Sequence, residues 1–115
     1  MTKYHGVRTE SGVQVVKEDR YGVRHLTPEK SFQHRRHSPD GFNWGYAGSG
    51  PAQLALALLL EETGSGDAQV WYQFFKREVV GRWEDEWTIT SEEIHAWLAK
   101  KRPVEQPQWE PEPAA

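Results

Sequence analysis

Residues 37–60 read HSPDGFNWGYAGSGPAQLALALLL, a glycine-rich aromatic loop running straight into the most apolar stretch of the chain. Pro51 suits the first position of a helix, where a missing N–H costs nothing. Ser49 and Gly50 are suitable residues at or just before its cap. The leucines at 54, 56, 58, 59 and 60, with Ala52, Ala55 and Ala57, leave almost no polar face. A helix that is apolar all round must be covered on most sides. This helix is therefore expected at the centre of the fold. Thr63-Gly64 should end it, glycine being favoured just past a helix C-terminus.

Upstream, Tyr4–Arg8 and Val13–Lys17 read as two short strands joined through Thr9-Glu10-Ser11-Gly12, with Gly12 able to take positive φ. Glu18-Asp19-Arg20 is the next turn and Tyr21–Leu26 a third strand. Residues 27–36 look polar and irregular, and Pro39-Asp40-Gly41 has turn composition. Phe42, Trp44 and Tyr46 alternate with Asn43 and Gly45, which suits an extended segment with its aromatics on one side.

Downstream, Ala68, Trp71, Tyr72, Phe75 and Val79 fall at helical spacing, with Asp67 as candidate cap. The short link at 63–66 makes this helix and the preceding one an antiparallel hairpin. Trp87-Thr88-Ile89 suggests a short strand. Thr90-Ser91-Glu92-Glu93 is a capping box opening a third helix whose inner face is Ile94, Trp97 and Leu98. The expected fold is α+β: a small antiparallel N-terminal sheet packed on a helical hairpin, plus a third short helix. Residues 1–102 form one compact domain, and residues 103–115 are a Pro/Glu-rich disordered tail.

The 115 residues include no cysteine, so disulfides and thiolate metal sites are excluded. No apolar run is long enough to span a bilayer, and no signal peptide is read at the N-terminus; a cytoplasmic location is expected. Net charge is −3, unevenly spread: residues 1–51 carry 8 Lys+Arg against 5 Asp+Glu, and residues 52–115 carry 6 against 12. The basic half holds the glycine loop, an arrangement that can steer an anion or an acidic partner to one face.

A helix N-terminus leaves backbone N–H groups unpaired, and glycines let a ligand approach them closely. Gly45, Gly48, Ser49 and Gly50 meet that description. Arg35, Arg36 and His37 supply nearby cations, and Trp44 or Tyr46 could stack on a planar group. These nine residues form the candidate ligand site. The competing reading is that the glycines only let the loop pack tightly on the helix.

Sharper motifs fail. Gly45 and Gly50 have the spacing of a phosphate loop, but Pro51-Ala52 stands where that loop has its lysine and hydroxyl. Ser49 lies in AGSGP rather than in a nucleophile elbow. Asp67, Asp85 and His95 follow it in hydrolase order, without a parallel sheet to carry them. His34, His37 and Asp40 are weak candidates for a metal, and Glu61, Glu62 and the 84–86 acidic run read as solvated faces. No catalytic group, metal or cofactor is expected.

The stretch HSPDGFNWGYAGSGPAQLALALL resembles the hallmark of a small uncharacterised domain family of bacteria, plasmids and phages. The resemblance takes in YHGVR and SGVQVV upstream and YQFFKREVV and WTITSEEIHAWL downstream, spanning about residues 4–98. Ala47 departs from it, the family pattern more often having glycine there. The resemblance brings no established activity. It implies a mobile-element setting, in which small proteins often modulate host enzymes or defence systems. The leading expectation is a non-catalytic module that binds a phosphate-containing, nucleotide-like ligand at the glycine loop. The first alternative is a protein-interaction module acting on a host defence protein. Nucleic-acid binding ranks lower, for want of a long Lys/Arg stripe. The aromatic excess at Trp71, Tyr72, Phe74 and Phe75 also raises a homodimer.

Overall fold

The computed structural model describes residues 1–38 and 41–105. The chain order is β1 (Lys3–Thr9), β2 (Gly12–Asp19), β3 (Gly22–His25), α1 (Glu29–Phe32), α2 (Ser49–Glu62), α3 (Ser65–Glu78), a 3₁₀ turn (Val80–Arg82), β4 (Glu86–Thr90) and α4 (Ser91–Glu105). This is an α+β fold, with a four-stranded antiparallel sheet packed against helices. The turn at Pro39 and Asp40, and the tail beyond Glu105, lie outside the described residues.

The sheet order is β3-β2-β1-β4. Two tight turns build its first three strands. Gly12 and Gly22 both sit at φ +125°, a region that side chains disfavour, so each hairpin closes on a glycine. β4 returns from the far end of the chain and pairs with β1, placing Ile89 opposite Tyr4 and Trp87 opposite Gly6. Period-two alternation then decides the faces. Tyr4, Gly6, Val15, Trp87 and Ile89 turn inward and are buried. Lys3, Val7, Gln14 and Val23 lie on the opposite face, partly or fully exposed.

Every residue of α2 from Gly50 to Leu60 is buried, as an all-apolar helix requires. Burying one leucine fully contributes about 1.5–3 kcal/mol, so this helix supplies much of the core energy. α3 packs along α2 with Ala68, Trp71, Tyr72 and Phe75 buried, and it begins at Ser65 rather than at an Asp67 cap. α4 opens with the reciprocal bonds of a capping box: Glu93 N–H to Thr90 Oγ1 at 3.1 Å and Thr90 N–H to Glu93 Oε1 at 3.0 Å. Ile94 and Leu98 are fully buried, and the Trp97 ring meets Phe75 edge-on at 5.0 Å.

Three further details differ from the sequence expectation. Residues 29–32 form a single helical turn inside the segment read as irregular. The last helix, expected to be short, has 15 residues and runs past residue 102 to Glu105. β4 is an integral strand beside β1, a pairing that no local pattern could announce.

Candidate functional site

Two side chains fix the chain that leads into α2, one at the loop of residues 41–48 and one at residues 31–38 ahead of it. The first is Arg8 on β1. Its Nη2 donates to Asn43 Oδ1 at 2.7 Å and to the Trp44 carbonyl at 2.5 Å, and its Nη1 pairs with Asp85 at 2.8 Å. The second is Gln53, one turn into α2 and fully buried. Its Oε1 accepts from the His37 and Ser38 N–H groups at 2.6 and 3.1 Å. Its Nε2 donates to Ser31 Oγ and the Arg35 carbonyl at 2.8 and 2.9 Å. All four hydrogen-bonding positions of the amide are thus used, as a buried polar group demands.

Trp44 is fully buried, which corrects its assignment as a stacking platform. Its indole N–H donates to the Glu84 carbonyl at 2.7 Å. Trp87 packs edge-on against it at 5.5 Å, and the Arg8 guanidinium lies 5.0 Å from its ring centre. Trp83 in turn stacks on Trp87 at 4.0 Å. The indole is therefore part of the core and has no face left for a ligand. Phe42 is buried too, whereas Tyr46 is 47% exposed. Gly45 causes the difference. Its φ of +85° breaks the alternation of the aromatic run, and a Cβ there would stand 2.8 Å from the Trp83 carbonyl oxygen.

The first turn of α2 opens onto a recess of about 380 Å³ lined by Gly12, Val13, Ser38, Gly41, Phe42, Asn43, Tyr46, Ser49 and Gly50. Gly48 is the cap, in extended conformation, and makes no side-chain capping bond. A Cβ on Gly48 would run into the Tyr46 ring at 2.5 Å, and one on Gly50 would stand 2.6 Å from Asn43 Cβ and 3.1 Å from the Tyr46 hydroxyl. The glycines therefore bring the loop down onto the helix start and hold the Tyr46 phenol over it. A second recess of about 380 Å³ shares Val13, Gly41 and Phe42 with the first. It continues along β2 and α1, where Val15, Leu26, Pro28 and Phe32 make an apolar wall and Gln14, His25, Thr27 and Glu29 complete the lining.

The nine expected ligand residues are thus divided. Tyr46, Ser49 and Gly50 line the recess at the helix start, and Gly48 supports it. Gly45 shapes the loop. Arg35, Arg36 and His37 do not line it, although Ser38, held by the same Gln53 oxygen as His37, does. Both arginines are exposed, and Arg36 stacks over Phe32 at 4.4 Å. The His37 ring bonds the Tyr72 hydroxyl at 2.7 Å. Partial burial, then the charges of Arg35 and Lys76, hold its pKa below the ordinary value.

Sequence reasoning missed a polar cluster at the opposite end of α2. Glu62 accepts from Tyr4 OH at 2.5 Å and Ser91 Oγ at 2.6 Å on one oxygen, and binds His95 Nε2 at 3.0 Å on the other. Burial alone would raise the Glu62 pKa, but the bonds from Ser91, Tyr4 and His95 prevail and bring it below the ordinary value. Burial first, then Glu62, pushes the Tyr4 phenol far above its usual range. Next to it Glu61 pairs with Lys17 at 2.7 Å. Two carboxylates at a helix C-terminus oppose the dipole, and these partners offset that cost. Ser91 and His95 each bind the carboxylate, so the cluster ties β1, α2 and α4 together around one anion. Its members are scattered over positions 4, 62, 91 and 95, and the only local signal was the capping box that starts α4 beside Ser91.

A family model described as a family of unknown function (DUF6166) matches residues 4–100. The chain belongs to that family. The matched span takes in every described strand, α1, α2, α3 and most of α4, and so covers both recesses and the Glu62 cluster. No curated protein and no solved structure matches the chain. Among the described residues, no helix is long and apolar enough to cross a membrane, and no group of three or more His, Cys, Asp or Glu side chains could hold a metal ion.

Proposed function

We propose that this DUF6166 chain is a non-catalytic binding module whose ligand carries an anionic group, in the manner of a nucleotide phosphate, and a flat apolar part. The observation that supports the reading is the pair of adjoining recesses. The polar one sits on the first turn of α2, where the Ser49 and Gly50 N–H groups and the helix dipole favour an anion, Pro51 having no N–H and the Ala52 N–H being bonded to the Gly48 carbonyl at 3.1 Å. Ser49 Oγ and the Tyr46 phenol are at hand there as further donors. The apolar one, between β2 and α1, suits a planar ring. Arg35 and Arg36 act only at long range, as part of the basic half that steers an anion inward.

Thermal unfolding with a panel of nucleoside mono-, di- and triphosphates and inorganic phosphate tests this. A ligand at 100 times its Kd stabilises by about 2.7 kcal/mol. Ser49→Glu places a carboxylate at the helix start and should raise the unligated stability while abolishing the ligand-dependent rise. A rise that persists in Ser49→Glu would falsify the site. Tyr46, exposed beside the recess, also favours a second reading, in which the same loop is presented to a host protein; a pull-down lost in Tyr46→Ala but kept in Ser49→Glu would separate the two. Nucleic-acid binding has weaker support, for want of a long Lys/Arg stripe in the sequence.

A further inference from the structure

The outer face of the sheet, turned away from α2, carries a second polar group. β1 lies between β2 and β4. Its His5 is the register partner of Thr88 on β4, and Glu18 on β2 stands one outward position along, opposite Lys3. Period-two alternation sends His5, Glu18 and Thr88 outward together, while Tyr4, Gly6 and Trp87 turn inward. The His5 ring joins the other two side chains. Its Nε2 is 2.9 Å from Glu18 Oε1, and its Nδ1 is 2.9 Å from Thr88 Oγ1. An ionised carboxylate only accepts, so the ring proton sits on Nε2. With the imidazole neutral, Nδ1 is then the acceptor, and the Thr88 hydroxyl donates to it. Carboxylate, imidazole and hydroxyl in that order are a nucleophile with its base, the base being oriented by a third group.

The backbone supplies a further donor. Arg8 N–H bonds the Asp85 carbonyl and Ser91 N–H bonds the Thr2 carbonyl, each at 2.9 Å. Residues 85, 87, 89 and 91 therefore bond β1, and His5 and Thr88 form a close pair without ladder bonds between them. The Thr88 N–H points to the other side of β4, the free edge of the sheet. There it is placed to meet the oxygen of an attacked carbonyl. A recess of about 330 Å³ adjoins, lined by His5, Gly6, Val7, Glu86, Trp87 and Thr88. The Glu86 carboxylate in its wall disfavours anionic substrates. We propose that Thr88 is a nucleophile that accepts an acyl group from small neutral or cationic activated esters or thioesters, with His5 as general base and Glu18 positioning its ring. This site lies on the far side of the sheet from α2 and goes beyond the binding reading. Thr88 Oγ1 bonds the carbonyl carbon as His5 Nδ1 takes the hydroxyl proton. The bond from that carbon to the leaving oxygen or sulfur then breaks, and the imidazolium returns the proton to the leaving group. One acyl group per chain ends as an ester on Thr88, and His5 is neutral again.

The probe is p-nitrophenyl acetate, with circular dichroism to show that each variant is folded. The wild-type chain should release a burst of nitrophenolate equal to one acetyl group per chain. Tandem mass spectrometry of acid-quenched protein should place the acetyl on Thr88. His5→Gln should slow the labelling of Thr88 by about 100-fold or more. Thr88→Val should abolish the burst, and Thr88→Ser should keep it. The nitrophenyl ester of succinic acid should label more slowly than the acetate, and Glu86→Gln should narrow that gap. Glu18→Ala should slow labelling and also move the ring proton: long-range proton–nitrogen correlation spectra should show Nε2–H in the wild type and a mixture of tautomers in the variant. Acetyl groups found only on lysines or the amino terminus, or Thr88 labelled as fast in His5→Gln as in the wild type, would overturn the proposal.

Discussion

Gln53→Met removes the one polar side chain inside α2 with little change of volume. In the wild type the amide makes four bonds, to the N–H groups of His37 and Ser38, the Arg35 carbonyl and Ser31 Oγ. Each is worth about 0.5–1.5 kcal/mol net, and a buried group left unpaired costs about 1–3 kcal/mol. Ser31 keeps its bond to the Pro28 carbonyl, so three backbone groups are stranded. Of these Ser38 is buried, while residue 35 is exposed and can take water. Allowing for the apolar gain of Met, the net loss should be about 3 kcal/mol. At this chain length that corresponds to a fall in Tm of roughly 10 °C. Urea unfolding followed by tryptophan fluorescence measures the loss, and amide hydrogen exchange locates it at His37 and Ser38. Gln53→Glu sharpens the test. A carboxylate keeps both acceptor bonds but turns a second oxygen toward the Arg35 carbonyl, so its stability should fall as pH rises through the carboxyl titration. A loss below about 1 kcal/mol in Gln53→Met, with Ser38 exchange unchanged, would refute the idea that this amide holds residues 35–38 against α2.

Glu62→Gln should cost about 1–2 kcal/mol, because bonds to a charged acceptor are the stronger ones. The wild-type Glu62 contribution is fully present above the ordinary glutamate value of 4.5 and is lost as pH falls through its lowered folded value; the acid limb of a stability–pH curve should flatten in the variant. His37 is held below its ordinary 6.5, so the unfolded chain takes up that proton first and stability drops on acidification below neutrality. His37→Gln should remove this part of the pH dependence, read from chemical denaturation at pH 7.5 and 5.5. Gly6→Ala drives a methyl into the Trp87 indole, which lies over the glycine. Overpacking of that kind costs about 1–3 kcal/mol, and near-ultraviolet circular dichroism should report displacement of the stacked Trp83–Trp87 pair.

The sequence made legible whatever rests on local chemistry. Gly12 marks the first hairpin, the 90–93 capping box marks the start of α4, and the run of alanine and leucine marks the central helix. The stripe of α3 appears at its expected spacing. What escaped was set by distant partners. The β1–β4 pairing joins residues 3–7 to residues 86–90, and neither strand names the other. Trp44 reads as a ligand platform only until Arg8, Glu84 and Trp87 are brought around it. The basic 34–37 run is close to the helix start in sequence, yet none of its four residues lines the recess there. Glu62 reads as half of a solvated pair because Tyr4, Ser91 and His95 come from two other elements. The aromatic alternation failed at Tyr46 for a local reason, the positive φ of Gly45.

The first turn of α2 is the proposed anion receptor. Amide chemical-shift mapping on isotope-labelled protein, titrated with the nucleotide that gives the largest thermal shift, tests that most directly. The predicted result is saturable shifts at Ser49, Gly50 and Ala52 and in the Tyr46 ring, extending to Val13 and Phe42 where the planar part lies, and absent in Ser49→Glu. Shifts centred on Arg35 and Arg36, or none at the helix start at saturating ligand, would contradict it.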